Sequence, residues 1–253
     1  MKLGFIGTGN MASAIMGGII KKQIIPAQEI IGADLFAPGR ERAKEQFGIQ
    51  VTDSNKEVVD KAEVIVLSVK PQFYEDVINE IKGDIKDEQI IITIAPGKTL
   101  AWLAEKFGKD VKIVRTMPNT PAMVGAGMTA ACPNEHITEE ELAYIRTLLE
   151  SFSRVEIVPE RLMDVVVSTS GSSPAYVFMM IEAMADADVS AACQDHWHIS
   201  LRHRQFLEAP RWSWIQAGIL GISKIWSALR QELRSRRYAY WKNADSEAQS
   251  LRP

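Results

Sequence analysis

Apolar residues along this chain gather in short continuous runs and do not alternate with polar ones. The runs are Leu3-Gly4-Phe5-Ile6, Ile30-Ile31, Val64-Ile65-Val66-Leu67, Ile90-Ile91-Ile92-Thr93-Ile94 and Val111-Lys112-Ile113-Val114, with a shorter one near Val51. Between them lie amphipathic stretches such as Glu75 to Ile81 and Leu100 to Phe107, where apolar residues recur at helical spacing. A strand that is apolar along its whole length is buried on both faces. The pattern therefore predicts an α/β domain in which helices cover both sides of a mostly parallel sheet.

On such a sheet ligands bind at the carboxyl ends of the strands, so the residues that follow each run are the candidate site. After the first run comes Gly7-Thr8-Gly9-Asn10-Met11-Ala12, with a helix predicted to begin near Asn10. This G-x-G-x-x-A spacing is the dinucleotide fingerprint of a Rossmann-type, doubly wound sheet. The first glycine makes a tight turn, the second lets a pyrophosphate approach the backbone, and the small Ala12 allows close packing of helix on strand. The helix then points unpaired N–H groups and a positive dipole end at the phosphates. Ile6, Gly7, Thr8, Gly9, Asn10 and Met11 are accordingly cofactor-binding candidates.

The second run, within Glu29 to Asp34, ends in an acid where such folds meet the adenosine ribose. Asp34 can accept from a ribose 2′-OH, which favours NAD; Arg40 or Arg42 can pair with the 2′-phosphate of NADP. Both cofactors stay open at this stage. Asn55 is expected to cap the helix Lys56 to Ala62 or to touch the adenosine. Ser68, Val69, Lys70 and Pro71 follow the fourth strand, Ala95, Pro96 and Gly97 the fifth, and Arg115 to Pro121 the sixth. Proline or glycine recurs at these three junctions, a backbone against which a flat nicotinamide can lie. Of the last group Met117, Pro118 and Asn119 are taken as candidates.

Composition changes this picture little until the last quarter of the chain. The 253 residues suffice for one large or two ordinary domains. Cys132 and Cys193 have no metal or redox-motif spacing, as expected in a reducing compartment. Leu3 to Ile20 carries no charge, but five glycines dilute it and Lys21-Lys22 stands on the wrong side for secretory cleavage. It reads as strand and helix, so a soluble cytoplasmic protein with no membrane partner is expected.

The chain is similar to the pyrroline-5-carboxylate reductase family through Gly4 to Ala12, Val69-Lys70-Pro71-Gln72, Arg115-Thr116-Met117-Pro118-Asn119-Thr120-Pro121 and Ser170-Gly171-Ser172-Ser173-Pro174-Ala175-Tyr176. The likeness covers about residues 1 to 187. It implies an NAD(P)H-binding domain over about 1–160, then an all-helical domain, begun at 161–187, that intertwines with a second subunit in a homo-oligomer. It implies hydride transfer from the nicotinamide to the imine carbon of 1-pyrroline-5-carboxylate, a cyclic imine carboxylate, giving L-proline. In the family a later S-P-G-G-T-T segment holds the substrate through backbone N–H groups and a threonine hydroxyl. That string is missing here. A related Rossmann reductase acting on another imine or a 3-hydroxy acid, and a non-catalytic nucleotide-binding protein, are the alternative readings.

From about Asp188 the character changes. Residues 188–253 hold five of the six tryptophans, three of the four histidines and eight of the fourteen arginines, with 10 basic and 6 acidic side chains against 19 and 26 before them. His196, Trp197, His198 and His203 lack carboxylate or cysteine partners at helical spacing, so no metal site is expected. The arginines interleaved with Trp and Tyr resemble a nucleic-acid surface, but a frame slip explains them more simply, and no nucleic-acid partner is expected. If each codon is cut after its second base, Trp226 to Tyr238 can read V-C-S-P-A-G-T-T-I-E-A-V, and Cys193 to Gln205 can read P-R-P-L-A-Y-K-F-A-A-Q. Only the first base of each shifted codon is free. The helical domain is thus expected to be truncated, followed over 188–253 by a non-native tail, from a one- or two-base slip near the codons of Ala185 to Asp188. Such a chain would be impaired as an enzyme and would lack the family's subunit interface.

Overall fold

The computed structural model describes residues 2–190, with side chains through residue 183. The tail from 191 onward, with its histidine cluster and both frame-shifted strings, lies outside the described residues. The chain divides into two compact units, Met1–Val177 and Phe178–Pro253.

The first unit opens with β1 (Leu3–Ile6), α1 (Asn10–Lys21), β2 (Ile30–Ala33), α2 (Ala37–Phe47), β3 (Gln50–Thr52) and α3 (Asn55–Lys61). It continues with β4 (Val64–Leu67), α4 (Tyr74–Ile81), β5 (Ile90–Thr93), α5 (Leu100–Phe107) and β6 (Lys112–Met117). Next come β7 (Gly127–Pro133), α6 (Glu139–Leu149), β8 (Ser153–Ile157), the short α7 (Met163–Val166) and a π-helical turn, Val167–Gly171. Helix α8 (Ser173–Ser190) leads into the second unit. The strands form one sheet in the order β3-β2-β1-β4-β5-β6-β7-β8, parallel except where β7 runs antiparallel to β6. β3-β2-β1-β4-β5-β6 is the dinucleotide-binding order of a Rossmann sheet.

Each apolar run divides its side chains between the two faces. Leu3, Phe5, Val64, Val66, Ile90 and Ile92 pack with Ile15, Met16 and Ile19 of α1 and with Ile145, Leu148 and Leu149 of α6. Ile6, Ile65, Leu67, Ile91 and Ile113 point the other way, onto Val58 and Val59 of α3, Ile78 and Ile81 of α4, and Leu103 and Phe107 of α5. Full burial of one such side chain is worth about 1.5–3 kcal/mol. The helices are thereby held to both faces, leaving the strand ends to carry the loops.

Three details differ from expectation. The sixth strand runs to Met117, so Arg115, Thr116 and Met117 lie within it and not in the loop beyond; pairing with Cys132, Ala131 and Ala130 of β7 extends it. β7 and β8 were not anticipated. β8 buries Ser153 and Val155 and exposes Arg154 and Glu156, the alternation of an edge strand and not a continuous apolar run. Finally, Ser54 caps α3, its hydroxyl accepting from Glu57 N–H at 3.3 Å. Asn55 does not, because its side-chain amide turns to Glu80 on α4 at 2.8 Å.

Candidate functional site

The turn after β1 is shaped by what its two glycines lack. Gly7 has φ of +98°, and a Cβ there would stand 2.8 Å from the Ser68 carbonyl oxygen. The turn is stitched to its neighbours on both sides: Gly7 N–H donates to Ala33 O at 2.7 Å, and the Ser68 hydroxyl donates to Gly7 O at 2.7 Å. Gly9 has no such crowding, since nothing lies within 4 Å of where its Cβ would be. It precedes α1, which has no side-chain cap and no acid in its first turn. The first intrahelical acceptor is Gly9 O, bonded by Ser13 N–H at 2.9 Å. The N–H groups of Asn10, Met11 and Ala12 are thus the open, positive end of the helix macrodipole. An unfilled Cβ position beside free N–H groups fits a pyrophosphate.

Beside this turn lies the end of β2 with its following loop. The Asp34 carboxylate accepts from Thr8 N–H at 2.8 Å and Thr8 Oγ1 at 3.1 Å through Oδ2, and from Phe36 N–H at 3.0 Å through Oδ1. Arg40 Nη1 donates to the Asp34 carbonyl. Leu35 and Phe36 beside it are exposed.

Across the sheet the loops after β4, β5 and β6 stand on the same edge. Ser68, Val69, Lys70 and Pro71 follow β4, with Lys70 exposed and its ammonium unpaired among the described residues. Ala95, Pro96 and Gly97 follow β5, and Pro118 and Asn119 follow Met117 at the end of β6. Ile6, Thr8, Ala95 and Pro118 are buried. Asn55, at the start of α3, is turned away as described.

Two side chains that the sequence patterns did not single out hold this edge together. Tyr74 is fully buried; its hydroxyl donates to Leu67 O at 2.5 Å and accepts from Ile94 N–H at 3.3 Å, joining the ends of β4 and β5. Burial holds its phenol well above the usual range, against the pull of the backbone N–H groups of Ile94 and Ala95. Glu160 accepts from Leu100 N–H at 2.6 Å and from Arg115 Nη1 at 2.9 Å, fixing the start of α5 to β6. Neither sits in an apolar pattern or a spaced motif, and each partner is a backbone group or a residue far along the chain. Cys132 pairs in register with Arg115, and burial, reinforced by the Glu160 charge against the pull of Arg115, raises its thiol pKa.

Asn119 is a bracket. Its Oδ1 accepts from Met128 N–H at 2.8 Å, and its Nδ2 reaches Ser170 O at 3.3 Å and Ser170 Oγ at 3.4 Å. It thus ties β7 to the π-helical turn, an element common at functional sites.

Residues 2–97 match the family model described as "NADP oxidoreductase coenzyme F420-dependent", and residues 160–197 that described as "Pyrroline-5-carboxylate reductase dimerisation". The second match runs past residue 187. The pyrroline-5-carboxylate reductase of Escherichia coli K12 is 43% identical over 192 residues, covering 74% of this chain and 70% of its own. That of Glycine max is 37% identical over 207 residues, covering 82% and 75%. Among solved structures, the pyrroline-5-carboxylate reductase of Coxiella burnetii superposes with a TM-score of 0.82 at 26% identity, over 98% of this chain and 94% of that one. The Plasmodium falciparum pyrroline carboxylate reductase, solved with NADP bound, gives 0.78 at 27% identity, over 94% and 92%.

Proposed function

The chain belongs to the pyrroline-5-carboxylate reductase family, and from that membership we propose that its intact gene product reduces 1-pyrroline-5-carboxylate to L-proline with NAD(P)H. The observation that carries the reading is the open helix end behind Gly9, set on the edge where the loops after β4, β5 and β6 also gather. Backbone N–H groups from Gly9 to Met11 receive the pyrophosphate. Ser68 to Pro71, Ala95 to Gly97, and Met117 to Asn119 wall the nicotinamide. NAD(P)H, when bound, would supply a hydride to the imine carbon, while the imine nitrogen carries a proton and becomes the amine of proline. A protonated imine is already electrophilic, so the protein needs to orient and enclose it rather than protonate it.

The substrate clamp is where this chain departs from the family. We assign residues 188–253 to a shifted reading frame that replaces the S-P-G-G-T-T clamp and the remainder of the helical dimerisation domain. Supporting this are the two family-like strings recovered by a single shift, although the dimerisation match runs on to residue 197. Family homo-oligomers are built through the lost segment, so the chain as written lacks part of the interface.

The test is proline formation from 1-pyrroline-5-carboxylate with NADPH and with NADH, for the chain as written and for a version with the frame restored after residue 187. The restored version is expected to turn over, and the written one to stay at the no-enzyme background. No proline from the restored version would overturn the assigned reaction; proline from the written chain would overturn the loss of the clamp.

A further inference from the structure

We propose that Tyr74 is a positioning residue for hydride transfer, its buried hydroxyl setting the width of the slot between the loops after β4 and β5; this rests on the reductase reading above and deepens it. Leu67 and Thr93 are the last paired residues of these two parallel strands. In a parallel ladder the next backbone bond would run from Ile94 N–H to Leu67 O. Here the phenolic hydroxyl takes both groups, donating to Leu67 O at 2.5 Å and accepting from Ile94 N–H at 3.3 Å. On the other side of β4 the backbone closes without such a spacer, Ser68 N–H donating directly to Ile6 O at 2.8 Å. One hydroxyl oxygen thus stands in place of a direct rung, at the level where the strands give way to residues 68–71 and 95–97.

The same side chain closes the first of those loops at its base. Tyr74 begins α4, directly after the turn Pro71–Phe73, whose Phe73 N–H donates to Lys70 O at 2.9 Å. The chain from Ser68 to Phe73 therefore leaves from Leu67 and is tied back to its carbonyl through the Tyr74 hydroxyl. The ring is fully buried in the same apolar cluster as Leu67, Ile78 and Ala95, so packing fixes its place. Burial also keeps the phenol protonated, and it remains a donor. Without the hydroxyl, Leu67 O and Ile94 N–H lose their shared partner, a cost they escape by bonding each other. Tyr74→Phe is thus expected to keep the packing, form the direct rung and narrow the slot.

In the crystal structure of ligand-free Tyr74→Phe in the full chain, Ile94 N and Leu67 O should come to about 2.9 Å and draw the two loops together. Loops left where they stand in the wild type would overturn the proposal. The second measurement is the single-turnover rate of NADPH oxidation by 1-pyrroline-5-carboxylate in the frame-restored chain. Beside it, calorimetric titration uses 2′-phospho-ADP-ribose, which lacks the nicotinamide. Tyr74→Phe should slow the single turnover about tenfold or more, while 2′-phospho-ADP-ribose binds as before. Ile78→Val, a core change on the same helix that keeps the hydroxyl, should leave the rate unchanged. An unchanged rate in Tyr74→Phe, equal slowing by Ile78→Val, or a matching loss of 2′-phospho-ADP-ribose affinity would overturn the positioning role alone. No turnover by the restored chain with Tyr74 intact would instead overturn the assigned reaction.

Discussion

Gly7 and Gly9 are the same residue put to different use, and a methyl group separates the two roles. At Gly7 a methyl meets the Ser68 carbonyl and a left-handed backbone, so Gly7→Ala should destabilise the fold by about 1–3 kcal/mol. At Gly9 the methyl enters open space at a helix N-cap, and the cost in stability is about 1 kcal/mol or less. The loss there falls on the ligand: Gly9→Ala should weaken NADPH binding by about tenfold or more, since backbone approach to the pyrophosphate is what the missing side chain allows. Urea unfolding read beside cofactor titration separates the two, and equal stability losses with equal affinity would contradict these roles. The spacing of these glycines was legible in the sequence because the turn needs them at fixed offsets. Tyr74, Glu160 and the brace from Thr8 to Asp34 were not, because each depends on which distant backbone group folding brings within reach.

Among the elements, β1, β2, β4, β5 and β6 follow from apolar runs buried on both sides, and α4 and α5 from helical periodicity. β7 and β8 escaped because they obey other rules. Gly127-Met128-Thr129-Ala130-Ala131-Cys132-Pro133 has small side chains and few β-branched residues, and its place comes from antiparallel pairing with β6; β8 has only one covered face. That added pairing also drew Arg115, Thr116 and Met117 into β6. The join between this part of the sheet and the π-helical turn rests on Asn119. Asn119→Ala should cost about 1–3 kcal/mol in urea or thermal unfolding, because Met128 N–H loses its acceptor. Asn119→Asp keeps that acceptor and gives up only the donor to Ser170, so it should cost less. Equal effects of the two variants would contradict the bracket.

At the scale of the whole molecule, the described residues hold the cofactor half of a reductase, and none of their helices is long and apolar enough to cross a membrane. The proposed frame slip beyond them rests on what the codons allow, not on what the residues are. Resequencing the DNA over the codons of Ala185 to Asp188 should reveal a one- or two-base insertion or deletion relative to a frame that continues into S-P-A-G-T-T. An uninterrupted frame on a verified transcript would contradict the slip. The account as a whole depends on a pyrophosphate resting against the amino end of α1, and the most direct measurement is the crystal structure of the chain soaked with NADPH. The diphosphate should lie over the backbone from Gly7 to Met11, with its adenosine toward Asp34 and Arg40. Nucleotide density elsewhere on the molecule, with that turn vacant, would contradict the account.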